Sequence, residues 1–202
     1  MANYKILIHQ PQYGDSPICL DYKHGQKENF WAGSVTTIQG YGKTDTGSVG
    51  SLLEVNVTVI TNEDCVEQLK YNGTKKVGVL RTIENAIPSG LSGMFCGQGE
   101  LDEASGKFRA TCKGDSGGPL TTLDPENEDR KTMIGVVSGG RGCGQGIPNW
   151  YTRLSHHAQW FNCIINKSVQ YLNEGKLDKN KVEMDCQRFA KPYRSDPFTW
   201  TS

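Results

Sequence analysis

The sequence has no long hydrophobic run and no excess of charge of either sign. The apolar stretch near its start, Ile6-Leu7-Ile8, is far too short for the core of a signal peptide, and no segment approaches the length of a membrane span. The 22 basic and 22 acidic residues cancel, so no strong field draws the chain to nucleic acid or to an anionic membrane. We therefore expect neither as a partner.

Paired metal-binding cysteines are also missing, because none of the seven cysteines forms a C-x-x-C pair. Scattered single cysteines instead favour disulfides and an oxidising compartment, with one thiol left over. Three N-x-S/T sequons, at Asn56, Asn72 and Asn166, add modest weight. We expect a secreted or extracellular protein with no cofactor and no metal.

Long helical periodicity is scarce, whereas glycine is abundant at 24 residues, a composition that favours β-structure with many turns. Short apolar runs alternate with turn residues, and 123–131 resembles a solvated hairpin tip. A short helix is predicted over 61–69. The predicted strands are 34–42, 52–60, 93–99, 117–123, 132–140 and 149–154.

A convincing helix appears late in the chain, where Ser155 could cap a run with apolar residues at helical spacing. After Gly175 the sequence turns polar, and we expect a tail that Cys186 partly holds. The predicted fold is an all-β barrel or sandwich closed by one helix. The apolar positions of the helix are Ala158, Phe161, Ile165, Val169 and Leu172.

The stretch T-C-K-G-D-S-G-G-P-L, residues 111–120, resembles the nucleophile motif of the chymotrypsin/trypsin-like serine peptidases, the S1 family. The resemblance extends over about residues 6–170. It implies the second, six-stranded barrel of a two-barrel fold, with the C-terminal helix closing it. The flanking matches are Q-G-Y-G at 39–42, G-V-V-S-G-G at 135–140, Cys143, P-N-W-Y-T-R-L at 148–154 and the helix with Trp160.

The motif suits acyl transfer. Ser116 would be the nucleophile, and the backbone N–H groups of Gly114 and Ser116 would form the oxyanion hole, since glycine permits the sharp bend. In the family, the residue matching Asp115 pairs with a newly cut N-terminal amine. A polypeptide substrate is the implied partner.

The resemblance also locates a specificity pocket. Its base would be Ala110, where trypsin-like members carry aspartate, so a preference for Arg or Lys is not expected. Its walls would be Gly140 and Asn149, and Asn149 would narrow or polarise the pocket. Gly139 replaces a tryptophan common in the family and would thin the wall of the neighbouring subsites.

Disulfides follow from the same resemblance. It implies that Cys112 pairs with Cys143 and Cys65 with Cys96, whereas Cys19 matches a cysteine that tethers an upstream chain. The remaining two, Cys163 and Cys186, have no counterpart in the family and could pin the tail against the helix.

The family's general base has no evident match. None of the histidines, His9, His24, His156 and His157, lies in a T-A-A-H-C context, and the acid role is not assigned to Asn3. We expect 1–27 to be a remnant of the first barrel and linker, 28–173 the second barrel and helix, and 174–202 a polar tail. The first barrel would be mostly missing.

Two functions fit this sequence. The first is a serine endopeptidase whose chain, as a fragment, is nearly inactive alone. The alternative is a non-catalytic serine-peptidase homologue that acts as an extracellular binding module. A glycosylated module with no cleft at all ranks last.

Overall fold

The computed structural model describes residues 18–44, 47–71, 93–140 and 142–190. Three α-helices lie in these ranges: α1 (Asn62–Tyr71), α2 (Ala158–Asn173) and α3 (Lys179–Cys186). The strands are β1 (Cys19–Leu20), β2 (Val35–Gly40), β3 (Leu53–Ile60), β4 (Met94–Gly99), β5 (Leu101–Asp102), β6 (Lys107–Phe108), β7 (Pro119–Asp124), β8 (Asn127–Gly139) and β9 (Asn149–Arg153).

Six of the strands close into an antiparallel barrel in the order β8-β7-β2-β3-β4-β9, with β9 pairing back onto β8. The short strand β1 adds to β8 in parallel, with Cys19 opposite Thr132. A separate hairpin joins β5 to β6. The predicted all-β class, the six-stranded barrel and the closing helix are confirmed.

The barrel forms because its strands alternate between the core and the surface. In β3, Val57 and Val59 are buried whereas Asn56 is exposed. Side chains from β2, β4, β7, β8 and β9 complete this core, together with a tryptophan from the turn before β2. Its buried members are Trp31, Ile38, Val57, Val59, Phe95, Leu120, Ile134, Val137 and Tyr151.

The hairpin tip predicted over 123–131 is shorter in the structure. A two-residue turn at 125–126 joins β7 to β8, and residues 127–131 continue the ladder as exposed strand. The Asp124 carboxylate organises this turn by accepting hydrogen bonds from the Glu126 N–H at 2.8 Å and from the Thr132 hydroxyl at 3.1 Å. An exposed hairpin strand with polar residues has the same composition as a loop. The sequence pattern could therefore not distinguish a strand from a loop over these residues.

A buried polar centre, which we call the Asp21 hub, joins the first described residues to the barrel. Asp21 is 3% exposed and accepts hydrogen bonds from the N–H groups of His24 and Gly25, each at 2.8 Å, and from the indole of Trp31 at 2.9 Å. A third N–H, that of Lys23, contributes at 3.1 Å. Four donors therefore compensate the desolvation of one carboxylate.

Arg153 at the end of β9 completes the Asp21 hub. Its guanidinium donates to the carbonyl of Gly25 and to that of Met94, both at 3.1 Å. Burial lowers the pKa of Arg153, and the Glu28 and Asp21 carboxylates oppose that change. The hub thus couples the turn at 21–26 to the wall of the barrel.

Ser155 does not cap the long helix, because it lies in a 3-10 turn, Leu154–His157, and α2 begins at Ala158. The apolar face that the spacing predicts is also only partly buried. Ile165, Val169 and Leu172 are 39%, 41% and 46% exposed, while the buried positions on the helix include Ile164 and Tyr171.

The reason is that α3, within the segment predicted to be a tail, packs on the other side of α2. Its Val182 and Cys186 are buried with Ile164 and Tyr171. The phenol of Tyr171 donates a 2.6 Å hydrogen bond to the Asp185 carboxylate, which raises the pKa of Tyr171. No helix in the described ranges is both long and apolar enough to cross a bilayer.

Candidate active site

The loop of the G-D-S-G-G-P motif connects Cys112 to the first residue of β7. Its backbone makes two tight turns, with the Asp115 N–H donating to the Cys112 carbonyl at 3.2 Å and the Gly118 N–H to the Asp115 carbonyl at 2.9 Å. Gly114 has φ +100°, a conformation that side chains disfavour. Ser116 follows at the exposed outer edge of the loop.

The Asp115 carboxylate holds this loop against the end of β2. One oxygen accepts from the Gly42 N–H and the other from the Cys112 N–H, both at 2.8 Å. A Cβ at Gly40 or Gly42 would overlap the carboxylate, so a side chain at either position would displace Asp115 from these hydrogen bonds. Sequence reasoning treated Q-G-Y-G only as a family match, although its two glycines are the signal for this close approach.

The rest of the loop is fixed on both sides. The Lys43 N–H donates to the Lys113 carbonyl at 2.8 Å, and Gly117 and Gly118 exchange hydrogen bonds with Val137 of β8 at 2.9 Å each. In the described part of the chain, the N–H of Gly114 makes no hydrogen bond. The Gly114 N–H, two residues before Ser116, is therefore available to donate a hydrogen bond to a ligand.

A cavity of about 360 Å³ lies beside the Asp115 carboxylate. Ala110, predicted at the base of a specificity pocket, shares this cavity with Asp115, and neither Gly140 nor Asn149 is among the described residues that line it. The walls also include Gly40, Gly42, Cys112 and Gly144. Ala110 and Asp115 therefore line the same cavity, and the grouping of Ala110 with Gly140 and Asn149 stays a prediction.

Asn149 is buried at 2% exposure, and its side chain donates a 2.6 Å hydrogen bond to the hydroxyl of Thr111. Its amide oxygen is buried without a hydrogen-bond partner among the described residues. Tyr151, two residues along β9, is fully buried, and burial raises its pKa above the ordinary tyrosine value. The Thr111 partner was not identified from sequence, since nothing in the pattern links 111 to 149.

Gly139 and Gly140, at the end of β8, are both buried. A Cβ on Gly139 would lie 2.5 Å from the indole nitrogen of Trp150, so the Trp150 ring packs directly on that glycine. The wall expected to be thin at Gly139 therefore has an indole behind it. The signal in the sequence is Trp150 itself, in the P-N-W-Y-T-R-L stretch at 148–154.

The described histidines contact residues that lie outside the serine loop. His24 stacks on Phe30 with ring centroids 5.2 Å apart, in the turn before β2. His156 lies beside Gly93 and packs edge-on against His157, before α2. His9, Asn3 and the Asn72 sequon lie outside the described residues. Within the described ranges, no group of three or more His, Cys, Asp or Glu residues could hold a metal ion.

All three predicted disulfides form. Cα–Cα distances are 5.9 Å for Cys65–Cys96, 5.1 Å for Cys112–Cys143 and 5.6 Å for Cys163–Cys186. The seventh cysteine, Cys19, is free and half-buried. The Cys112–Cys143 bond anchors the residue at which the serine loop begins.

Comparison with known proteins agrees with this fold and loop. The family model described as Trypsin matches residues 10–161. The chain is 30% identical to CLIP domain-containing serine protease C9 of Anopheles gambiae over 74% of this chain and 39% of that protein. It is 30% identical to CLIP domain-containing serine protease HP8 of Bombyx mori over 81% of this chain and 39% of that protein.

Human tissue-type plasminogen activator is 32% identical over 61% of this chain and 20% of its own length. The chain thus spans well under half of each of these relatives. Since the family model covers most of the sequence and includes the G-D-S-G-G-P loop, this chain belongs to the trypsin family of serine proteases.

Proposed function

We propose that this chain supplies the nucleophile-bearing barrel of a serine endopeptidase that cleaves peptide bonds through an acyl-enzyme on Ser116. The observation that carries the proposal is the serine loop itself, held by both oxygens of Asp115 and by β8 with an uncommitted N–H at Gly114. A loop that served only as a turn would not need three restraints around one exposed hydroxyl.

In the proposed reaction, the Ser116 hydroxyl oxygen attacks the substrate carbonyl carbon while a general base takes its proton. The N–H groups of Gly114 and Ser116 donate to the resulting oxyanion. The C–N bond then breaks, and the amine leaves with the proton that the base returns. Water releases the acyl group by the same steps, which regenerates the hydroxyl.

Asp115 would act as the partner of an N-terminal amine. The cavity of about 360 Å³ that opens onto its carboxylate has room for the first residues of a chain terminus. An ammonium there would form an ion pair with a carboxylate that already accepts two N–H groups, and would fix the same loop further. Asp115 is thus a positioning residue for the oxyanion donors.

The general base, on this proposal, comes from outside the described residues. The positions of His24, His156 and His157, each with its own ring or backbone neighbours, favour this assignment. The chain would be organised as a linker and barrel remnant over 1–27, the second barrel and helix over 28–173, and an extension over 174–202. Without a base, activity would fall by about 10⁴- to 10⁶-fold.

An extracellular location is part of the same proposal. Three disulfides in one barrel and helix are typical of proteins that fold in an oxidising compartment. Cys19, half-buried and unpaired at the edge strand β1, would link to an upstream chain. The substrate class is a polypeptide.

Labelling with a fluorophosphonate probe tests the catalytic proposal. The isolated chain should react slowly, and the chain co-expressed with a first barrel that carries a T-A-A-H-C-like histidine should label rapidly on Ser116. Ser116→Ala should remove all labelling, and mass spectrometry of the labelled peptide identifies the residue. Fast labelling of the isolated chain would refute a general base supplied by the first barrel, and no labelling of the assembled protein would refute the peptidase.

Asn149 would limit the size of the substrate residue that binds beside Ser116. Its buried amide, bonded to Thr111, fills space that glycine would leave open. We predict that Asn149→Gly raises kcat/KM for substrates with a large apolar residue before the scissile bond by about 10- to 100-fold relative to alanine substrates. Competing peptide substrates measure the ratio, and Asn173→Gly, at an exposed site on α2, is the control.

A second candidate, the non-catalytic homologue, is favoured by the same Asn149. If the assembled protein neither labels nor cleaves, and Asn149→Gly restores neither activity, the filled pocket marks a binding module. The first candidate is preferred because the Gly114 N–H, which makes no hydrogen bond in the described part of the chain, has a role in acyl transfer and none in a binding module.

A further inference from the structure

The outer face of α2 carries an apolar strip that the rest of the described chain leaves open. Ile165, Val169 and Leu172, spaced four and three residues apart, are 39%, 41% and 46% exposed. Helical neighbours at such spacing form one continuous surface. Since α3 packs on another side of α2 through Ile164 and Tyr171, this outer strip is partly solvent-exposed and available to a covering group.

The side of the helix next to the outer strip holds the sequon Asn166-Lys167-Ser168. Asn166 is exposed, follows Ile165 directly and lies one turn before Val169, within about 6 Å of it between Cβ atoms. The polar contacts on this part of α2 run from Lys167 to Gln170 and from Gln170 to Glu174, and Gln170 lies one turn after Asn166, on the side away from the outer strip. The Asn166 side chain therefore emerges at the edge of the outer strip.

The other described sequon has a different setting. Asn56 is exposed on β3, and its amide oxygen accepts a 3.4 Å hydrogen bond from the Thr37 hydroxyl. The pair formed by Gln39 and Glu54 lies nearby on the same two strands. A sugar at Asn56 would meet these polar side chains first, although Val35, two residues before Thr37 on the same face of β2, is 57% exposed.

We infer that Asn166 is an N-glycosylation site and that its attached N-acetylglucosamine residues cover the outer strip of α2. The amide nitrogen of Asn166 would form the glycosidic bond, with a lipid-linked oligosaccharide as donor and its diphosphate carrier as leaving group. N-linked glycans are bulky and solubilising, and the faces of pyranose rings that carry C–H groups suit contact with aliphatic side chains. The inference rests on the extracellular location proposed above.

The test expresses the full chain in eukaryotic cells behind a heterologous leader, with an added C-terminal sequon as reference. Peptide mass spectrometry after endoglycosidase treatment should find a residual N-acetylglucosamine on Asn166. Asn166→Gln and Ser168→Ala should each lose it. Asn162→Gln is the matched control, because Asn162 is exposed one turn earlier on α2 outside any sequon, and it should keep the modification.

Coverage of the outer strip is measured separately. Enzymatic removal of the glycan from the folded protein should increase binding of a hydrophobic dye severalfold, and Ile165→Ser combined with Val169→Ser should abolish that increase. An occupied reference sequon with bare Asn166 overturns the inference and assigns the strip to a protein contact. Occupancy with unchanged dye binding overturns the covering role. Because the leader is supplied and Ser116 labelling is read independently, neither result bears on the peptidase proposal.

Discussion

Replacing Ser116 with alanine should lower kcat/KM for a peptide or ester substrate by about a million-fold, measured on this chain assembled with a histidine-bearing first barrel. The variant keeps the backbone donors of Gly114 and residue 116 but has no hydroxyl to form the acyl-enzyme. The residual rate should therefore stay about 10³- to 10⁴-fold above the uncatalysed reaction. Ser51→Ala, at an exposed loop position, is the control and should be unchanged.

A second substitution separates the nucleophile from the oxyanion donors. Gly114→Ala places a side chain at φ +100°, where its Cβ would lie 3.1 Å from the Gly42 Cα. The loop must shift, and loss of one donor of this kind costs about 10²- to 10³-fold in kcat. Combined with Ser116→Ala, the two losses should not multiply, because both act on one catalytic unit. A Ser116→Ala variant that keeps a tenth of the activity would contradict the assignment.

Replacing Asp21 with alanine should lower the free energy of unfolding by about 3–5 kcal/mol, the cost of breaking a buried charged network from one side. In the variant, the buried N–H of Gly25 and the indole N–H of Trp31 lose their hydrogen-bond acceptor. It also leaves Arg153 buried with less neighbouring negative charge. Because domains of this size have about 5–15 kcal/mol in total, the melting temperature should drop sharply.

Urea denaturation measures the loss directly, with the slope checked for unchanged two-state behaviour. Asp129→Ala removes a carboxylate from the exposed arm of β8 and should change stability by no more than about 0.5 kcal/mol. Asp21→Asn should fall between the two, since its amide nitrogen would point at one of the donors. Equal stability of Asp21→Ala and Asp129→Ala would show that the Asp21 hub is not needed.

The barrel was predictable because the alternation of apolar and polar residues in its strands matches the alternation of buried and exposed positions in the barrel. The alternation of β3 places Val57 and Val59 inward, and the turn residues around it define its ends. The outer strip of α2 shows the limit of such reasoning. Spacing identifies apolar residues on one side of a helix. It does not show that α3 packs against Ile164, so that Ile165 remains 39% exposed.

The candidate site divides in the same way. Ser116, Gly114 and Asp115 could be named because one contiguous motif contains them. The partners of Asp115 and Asn149 could not, because Gly42 and Thr111 are 73 and 38 residues away along the chain and meet them only through barrel closure. The pocket assignment of Ala110, drawn from position relative to Ser116, stays a prediction, as do those of Gly140 and Asn149.

The Cys163–Cys186 disulfide affects where this protein can be shortened. The family match stops at residue 161, yet the bond begins two residues later and reaches α3. A chain cut at the family boundary would lose most of α2 together with its partner helix. One cut after α2 would keep Cys163 as an unpaired thiol and bare the aromatic ring of Tyr171. Recombinant versions should therefore extend at least through Phe189, the last residue of the turn that follows α3.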